Sequence, residues 1–258
     1  QGGKELAGEV RISGSKNAAL PIIAATVLVK GKITLYNVPN IQDVQTMFEI
    51  IRDIGGKVTK KNNKMIIDTS KINTYEIPEN LMRKMRSSVI LAGAIIGKYN
   101  KANFSYPGGC EIGSRPIDLH LKGFEKLGIN IKEEYGEIIC NAEKIEGTQI
   151  HLDFPSVGAT ENIILAACLA EGTTILTNAA KEPEIEDMVK FLNKAGAKIR
   201  GAGTDRVEII GVKKLFEISY NIMPDRIEAG TYLVAGAITG GNVKIINANP
   251  NHIEPILD

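Results

Sequence analysis

The amino-acid sequence predicts an α/β fold of repeated βαβαββ units, and three observations carry that reading. Helix ends terminated by glycine recur about every seventy residues, short strands ending in asparagine recur with a similar step, and helices apolar all round alternate with helices charged on one side. The helix ends are Ile54-Gly-Gly-Lys-Val58, Leu127-Gly-Ile-Asn-Ile131 and Ala195-Gly-Ala-Lys-Ile199, in which Gly55, Gly128 and Gly196 each follow an amphipathic stretch, as a C-terminal glycine should. The strands are 32–37, 172–178 and 242–247, with 101–106 as the divergent copy.

Each unit reads as strand, helix, strand, helix and then two strands joined by a polar turn. In the first unit that pair is 57–68, with Asn62-Asn63 at the turn, so the basic run 57–64 is expected to be a solvated hairpin and not a nucleic-acid patch. The first helices, 18–29, 87–97, 163–170 and 229–239, are Ala-rich and nearly uncharged, so burial all round is expected. The second helices, 43–54, 116–127 and 183–195, carry charges at helical spacing and should face water on one side. Units related by threefold pseudo-symmetry, with buried helices inside and sheets outside, satisfy both patterns; the result is an inside-out α/β barrel. A fourth unit opens at Met223-Pro-Asp-Arg-Ile-Glu228 and reaches residue 258 inside what should be its second helix. Half a repeat cannot bury its own core, so the expectation is a piece of a longer, two-domain enzyme.

Composition narrows the function. With 258 residues and 43% hydrophobic content the chain can bury a large core, and with 5% aromatics and no tryptophan that core is aliphatic. A net charge of +1 argues against nucleic acid as a partner. Three scattered cysteines make neither a disulfide framework nor a metal set, which points to a reducing compartment. Cys140 and Cys168 lie among aliphatic residues and read as small packing groups. The longest uncharged apolar run, 17–29, is too short to span a bilayer, so the expectation is a cytoplasmic protein without a membrane partner.

The chemistry concentrates in a few places. The loop Tyr106-Pro-Gly-Gly-Cys-Glu-Ile-Gly-Ser-Arg-Pro116 puts Cys110 among turn-forming residues with Arg115 nearby, which reads either as a reactive thiol or as an incidental surface cysteine. Lys16 and Asn17 follow Ser13-Gly-Ser15 at the start of a buried helix, where anions bind readily; a capping serine and a solvated lysine are the plain alternative. Arg86, Ser156-Val-Gly-Ala-Thr160 and Asp225-Arg226 stand at the equivalent helix starts of the other units, so the polar ends are expected to share one cleft. No phosphate loop and no dinucleotide fingerprint is present, which argues against nucleotide hydrolysis and dinucleotide redox chemistry. His120, His151 and His252 are too dispersed for a zinc site, and His120 is expected to serve the structure or the substrate side.

The segments Gly14-Ser-Lys-Asn-Ala-Ala-Leu-Pro21, Met85-Arg-Ser-Ser88, Pro107-Gly-Gly-Cys-Glu-Ile-Gly-Ser-Arg-Pro-Ile-Asp-Leu-His120, Ser156-Val-Gly-Ala-Thr160, Ala180-Lys-Glu-Pro-Glu-Ile185 and Pro224-Asp-Arg-Ile-Glu228 resemble, in order along the whole chain, the UDP-N-acetylglucosamine 1-carboxyvinyltransferase family of enolpyruvyl transferases. The resemblance implies two similar domains with the active site between them, so that 16–223 would be a complete three-repeat domain and 1–15 with 224–258 parts of an incomplete second one. It implies transfer of the enolpyruvyl group of phosphoenolpyruvate to the 3-hydroxyl of UDP-N-acetylglucosamine, with release of phosphate and no cofactor or metal, by a protein expected to be monomeric. By resemblance Cys110 is the general acid and the target of fosfomycin, and Lys16 and Arg115 are catalytic cations. Asn17, Arg86, Pro116, Ile117, Asp118, Leu119, Ser156, Val157, Gly158 and Asp225 would bind substrate. Phe154-Pro155 stand where some relatives carry a basic residue, and further carboxylate and arginine partners lie beyond the chain, so the chain alone is expected to be inactive. Two alternatives remain open: an enolpyruvyl transferase acting on shikimate 3-phosphate, and a non-catalytic module that binds a nucleotide sugar.

Overall fold

In the computed structural model, residues 2–108 and 116–257 are described. After β1 (Ala7–Arg11), the first unit runs α1 (Lys16–Ala25), β2 (Lys32–Tyr36), α2 (Gln42–Asp53), β3 (Lys57–Lys61) and β4 (Lys64–Asp68). A short α3 (Glu79–Met82) leads to α4 (Ile90–Tyr99), β5 (Lys101–Ser105), α5 (Asp118–Lys126), β6 (Asn130–Glu134) and β7 (Glu137–Asn141). Then β8 (Gln149–His151) precedes α6 (Val157–Ala167), β9 (Thr173–Thr177), α7 (Pro183–Lys194), β10 (Lys198–Arg200) and β11 (Arg206–Ile210). The chain continues through β12 (Ser219–Asn221), α8 (Arg226–Ile238), β13 (Asn242–Ile246) and α9 (Glu254–Leu257). The order helix, strand, helix, strand, strand therefore occurs three times and starts again at α8.

The sheets are mixed, ordered β12-β2-β4-β3, β5-β7-β6 and β8-β9-β11-β10, with β1-β13 as a separate pair. Within each unit the strands pair antiparallel, whereas β12 with β2, β8 with β9 and β1 with β13 pair parallel. β12, from the end of the third unit, completes the sheet of the first, while β1 crosses to the strand that follows α8.

Why the repeated strands end in asparagine is visible in the backbone. Asn37, Asn178 and Asn247 adopt φ of 55°, 55° and 63°, a left-handed conformation that asparagine tolerates better than most residues. From that turn each side-chain amide donates to a carbonyl just past the parallel neighbouring strand: Asn37 to Ile222 at 2.9 Å, Asn178 to Leu152 at 2.7 Å and Asn247 to Ile12 at 3.0 Å. The divergent second unit has Tyr106 at this place; its hydroxyl bonds Glu133 at 2.6 Å.

The core follows the apolar helices. α1, α4 and α6 are buried along nearly their whole lengths, with α4 packed on both α1 and α6. Their close approach depends on glycine: a Cβ on Gly93 would lie 2.4 Å from the Asn162 carbonyl oxygen, and one on Gly97 would lie 2.7 Å from that of Leu165. α2, α5 and α7 cover this core with one apolar face each. Cys140 and Cys168 are free and buried, and burial pushes both thiols up to about 12, so they stay protonated packing groups.

The fourth apolar helix departs from expectation. Only Ala229, Gly230 and Gly236 of α8 are buried, while Ile227, Val234 and Ile238 are exposed. One face packs on β13 and on Ile256 of α9, and no other described element covers the opposite face. A small second core of Ile12, Ala229 and Ile253 forms there, apart from the main one.

Candidate functional site

The site starts at a crossing of two chain segments. Gly14 and Pro224 form an isolated antiparallel bridge, with Ser15 N–H donating to Met223 O at 2.8 Å and Asp225 N–H to Ser13 O at 2.9 Å. A Cβ on Gly14 would lie 1.7 Å from the Asn37 carbonyl oxygen, so glycine is required. Two helices leave this crossing. The Ser15 hydroxyl caps α1 by accepting from Ala18 N–H at 3.3 Å, and Asp225 caps α8 by accepting from Ile227 and Glu228 N–H at 2.8 and 2.9 Å. The second Asp225 oxygen accepts from Lys16 N–H at 3.2 Å, so one carboxylate ties both helix starts together.

A cavity of about 590 Å³ opens beside them. Four helix starts contribute to its lining: Lys16 and Asn17 of α1, Arg86 and Ser87 of the single-turn helix before α4, Val157 of α6 and Arg226 of α8. Unpaired N–H groups and the helix dipole favour anions at such ends, and the side chains add charge. Lys16 pairs loosely with Asp43 at 3.3 Å, both partly exposed, and Lys84 with Glu49 at 3.6 Å. These surface pairs are weak, so an incoming dianion can compete for both cations.

Carboxyl groups that no sequence motif assigned also line the cavity. Glu161, Glu182 and Glu184 line the cavity; Glu184, only 2% exposed, accepts from Arg226 Nε at 2.9 Å. Burial, and then the Glu184 and Glu182 charges, hold the Glu161 carboxyl well above the usual carboxylate range, which favours its protonated form. Among the described residues its Oε1 has no hydrogen-bond partner. Glu182 and Glu184 lie in the segment 180–185 and Glu161 just past Thr160, but sequence spacing does not reveal that the three carboxyls line one cavity.

His120 takes a structural place. It is buried, and Nδ1 lies 2.7 Å from the Asn162 side-chain amide nitrogen. Asn162 Oδ1 accepts from Gly93 N–H at 2.8 Å, and its amide also donates to Val89 O at 3.0 Å. The nitrogen end therefore faces the ring, and Nδ1 must be the acceptor. Burial and the nearby Arg86 charge push the imidazole down to about 4, so it is neutral. Gly158 sits against this ring: a Cβ there would lie 3.1 Å from Cε1.

The other expected positions are distributed as follows. Ser156 caps α6 by accepting from Ala159 N–H at 3.3 Å. Ile117 is buried, Pro116 and Asp118 are exposed at the start of α5, and Leu119 lines a neighbouring cleft with Lys122 and Asp153. Cys110 and Arg115 lie outside the described residues. Phe154 is exposed. No group of three or more histidine, cysteine or carboxylate side chains able to hold a metal occurs among the described residues, and no helix among them is long and apolar enough to cross a membrane.

Comparison with known proteins gives this site its context. Residues 1–258 match the family model of EPSP synthase (3-phosphoshikimate 1-carboxyvinyltransferase). The chain belongs to the EPSP synthase family. Within curated relatives it is 54% identical over 256 residues to UDP-N-acetylglucosamine 1-carboxyvinyltransferase 2 of Caldanaerobacter subterraneus subsp. tengcongensis, covering 99% of this chain and 61% of that protein. It is 46% identical over 257 residues to the UDP-N-acetylglucosamine 1-carboxyvinyltransferase of Geobacter metallireducens, covering 100% of this chain and 62% of that one. The chain thus spans about three fifths of the length of the curated relatives it matches. Among solved structures, the enolpyruvyl transferase NikO from Streptomyces tendae superposes with a TM-score of 0.79 at 24% identity, over 90% of this chain and 55% of that one. An EPSP synthase from Acinetobacter baumannii gives 0.73 at 21% identity, over 96% and 57%. These two share the family's fold.

Proposed function

We propose that the protein containing this chain transfers the enolpyruvyl group of phosphoenolpyruvate to the 3-hydroxyl of UDP-N-acetylglucosamine, a reaction that feeds cell-wall precursor synthesis in the cytoplasm. The observation that carries this reading is the cavity in which Lys16, Asn17 and Arg86 stand at helix starts with Lys84 and Arg226, in a chain about half identical to relatives bearing that name. Phosphoenolpyruvate brings a phosphate and a carboxylate, and such a cluster of cations and N–H ends stabilises both. The domain reading accompanies it: 16–223 as one three-repeat, pseudo-threefold inside-out barrel, and 1–15 with 224–258 as part of a second domain that completes the cleft. Support comes from the separate small core, from β12 pairing back to β2 within 16–223, and from β1 pairing with β13 outside it.

In the proposed reaction the methylene carbon of phosphoenolpyruvate takes a proton from Cys110 as the sugar hydroxyl oxygen bonds to the adjacent carbon and gives up its own proton. The tetrahedral adduct then expels phosphate and loses a methyl proton, restoring the double bond. Lys16, with Arg115, stabilises the phosphate as it leaves, Asn17 orients the reacting centre, and Arg86 holds anionic charge. Pro116 to Leu119, Ser156 to Gly158 and Asp225 would receive the nucleotide sugar. No cofactor is invoked, and the partners are the two substrates.

The test is phosphate release by the full-length protein. Turnover is expected with phosphoenolpyruvate and UDP-N-acetylglucosamine, and Lys16→Ala should lower kcat/KM by about 10²–10³, the cost of removing one transition-state charge partner. Turnover with shikimate 3-phosphate instead would favour the acceptor named in the family description. Ligand-induced thermal stabilisation by the nucleotide sugar without any turnover would reduce the protein to a binding module. A fosfomycin adduct on Cys110, read by mass spectrometry, tests the thiol role separately.

A further inference from the structure

The cleft leaves one charged feature of the molecule unused. The basic hairpin β3–β4 borders a second cavity, of about 580 Å³, behind the crossing at Gly14 and Pro224. Strand register builds its floor: Asn221 pairs with Tyr36, Tyr36 with Lys64, and Lys64 with Lys61, in a row across the end of one sheet. Arg11, the last residue of β1, and Asn247, just after β13, face that row from the other strand pair. Lys60 and Asn37 add to the lining.

Charge makes this cavity unusual in a chain whose acidic and basic residues nearly balance. Its lining holds three cations, Arg11, Lys60 and Lys64, together with five asparagines, and no aspartate or glutamate. Among the described residues none of the three cations has an ion-pair partner, although most surface lysines near the catalytic cleft do. Like charges around one concavity repel, and a bound anion removes that cost while accepting hydrogen bonds from the Asn62 and Asn63 amides, those of Asn37, Asn221 and Asn247 being turned to backbone carbonyls. The volume is that of a small-molecule site and exceeds what a single ion needs.

We propose that this cavity is a second binding site, separate from the catalytic cleft, for a small phosphorylated anion. Arg11, Lys60 and Lys64 would hold the phosphate oxygens, the Asn62 and Asn63 amides its polar substituents, and Tyr36 one face of the ligand. Because its walls come from both strand pairs that meet at the crossing, an occupant touches the segments on which α1 and α8 are mounted.

Calorimetric titration of the full-length protein with inorganic pyrophosphate, at constant ionic strength, tests the site. A Lys60→Gln/Lys64→Gln variant should bind at least tenfold more weakly at one site, whereas Lys16→Gln should leave that site within about twofold of wild type. Both lysines are exposed or half-exposed hairpin residues, so the double variant should melt with the wild type and release phosphate at the wild-type rate. Binding unchanged in the double variant overturns the proposal, as does pyrophosphate binding that Lys16→Gln abolishes altogether. The outcome does not depend on turnover, so a failure of the proposed reaction would leave this result readable.

Discussion

Helices α6 and α8 have nearly the same sequence character and opposite environments. Both are alanine-rich, begin at a polar cap and present almost no charge after the first turn. Nine residues of α6 are buried, from Ala159 to Ala167, against three of α8. The difference comes from neighbours: α6 is surrounded by α4, α5 and α7, while among the described residues α8 packs mainly on β13, with a small cluster formed with Ile12 and Ile253. An apolar sequence records that a helix is fit for burial, and only packing against other elements makes it so.

The sharpest test of that contrast is a pair of truncations. Leu165→Ala, at a fully buried site in α6, should cost about 2–5 kcal/mol, whereas Val234→Ala, at a position 53% exposed in α8, should stay within about 0.5 kcal/mol. Denaturant unfolding of this chain measures both, and equal losses would break the comparison.

The next largest effect is on pH dependence and belongs to the α6 side. His120 is held down to about 4 in the folded state, against roughly 6.5 unfolded, so the unfolded chain takes up the proton first as pH falls. The His120 contribution is fully present above pH 6.5 and declines toward pH 4, by an amount on the order of 3 kcal/mol. A His120→Gln variant should show a flatter stability profile over that window.

Glu161 gives the opposite sign. Its folded carboxyl stays protonated where the unfolded one ionises, so its contribution falls as pH rises above the ordinary carboxylate range. Glu161→Gln keeps a neutral side chain of the same shape. It should melt above the wild type at pH 7, with the gap closing toward pH 4; a lower melting temperature at neutral pH would show that the ionised form is the stabilising one.

Smallest are the caps. Ser156→Ala should cost about 1 kcal/mol, and Asp225→Ala up to about 2 kcal/mol because that carboxylate also accepts from Lys16 N–H. Hydrogen exchange of the first-turn amides of α6 and α8 would resolve the two.

Much of the architecture was legible because it is local and periodic. Gly55, Gly128 and Gly196 mark the helix ends and all adopt positive φ, and the Asn62-Asn63 turn lies between β3 and β4 as its residues suggest. The terminal asparagines were readable as markers, but not the carbonyl each one grips, because Ile222, Leu152 and Ile12 come from distant or crossing segments. The candidate site divides the same way: Lys16, Asn17, Arg86 and Arg226 could be read from helix starts, while Glu161, Glu182 and Glu184 acquired a role only by lining the same cavity.

By itself the sequence determined the repeat, the alternation of apolar and amphipathic helices, and which helix ends carry polar groups, since propensity, periodicity and capping act over a few residues. The tertiary structure alone decided that β1 pairs with β13 and β12 with β2, that α8 is covered on one face, that burial pushes His120 down and Glu161 up, and that three cations without an ion-pair partner among the described residues share one cavity. Each of these depends on burial or on charges brought close by residues far apart in the chain, and no local pattern encodes that proximity.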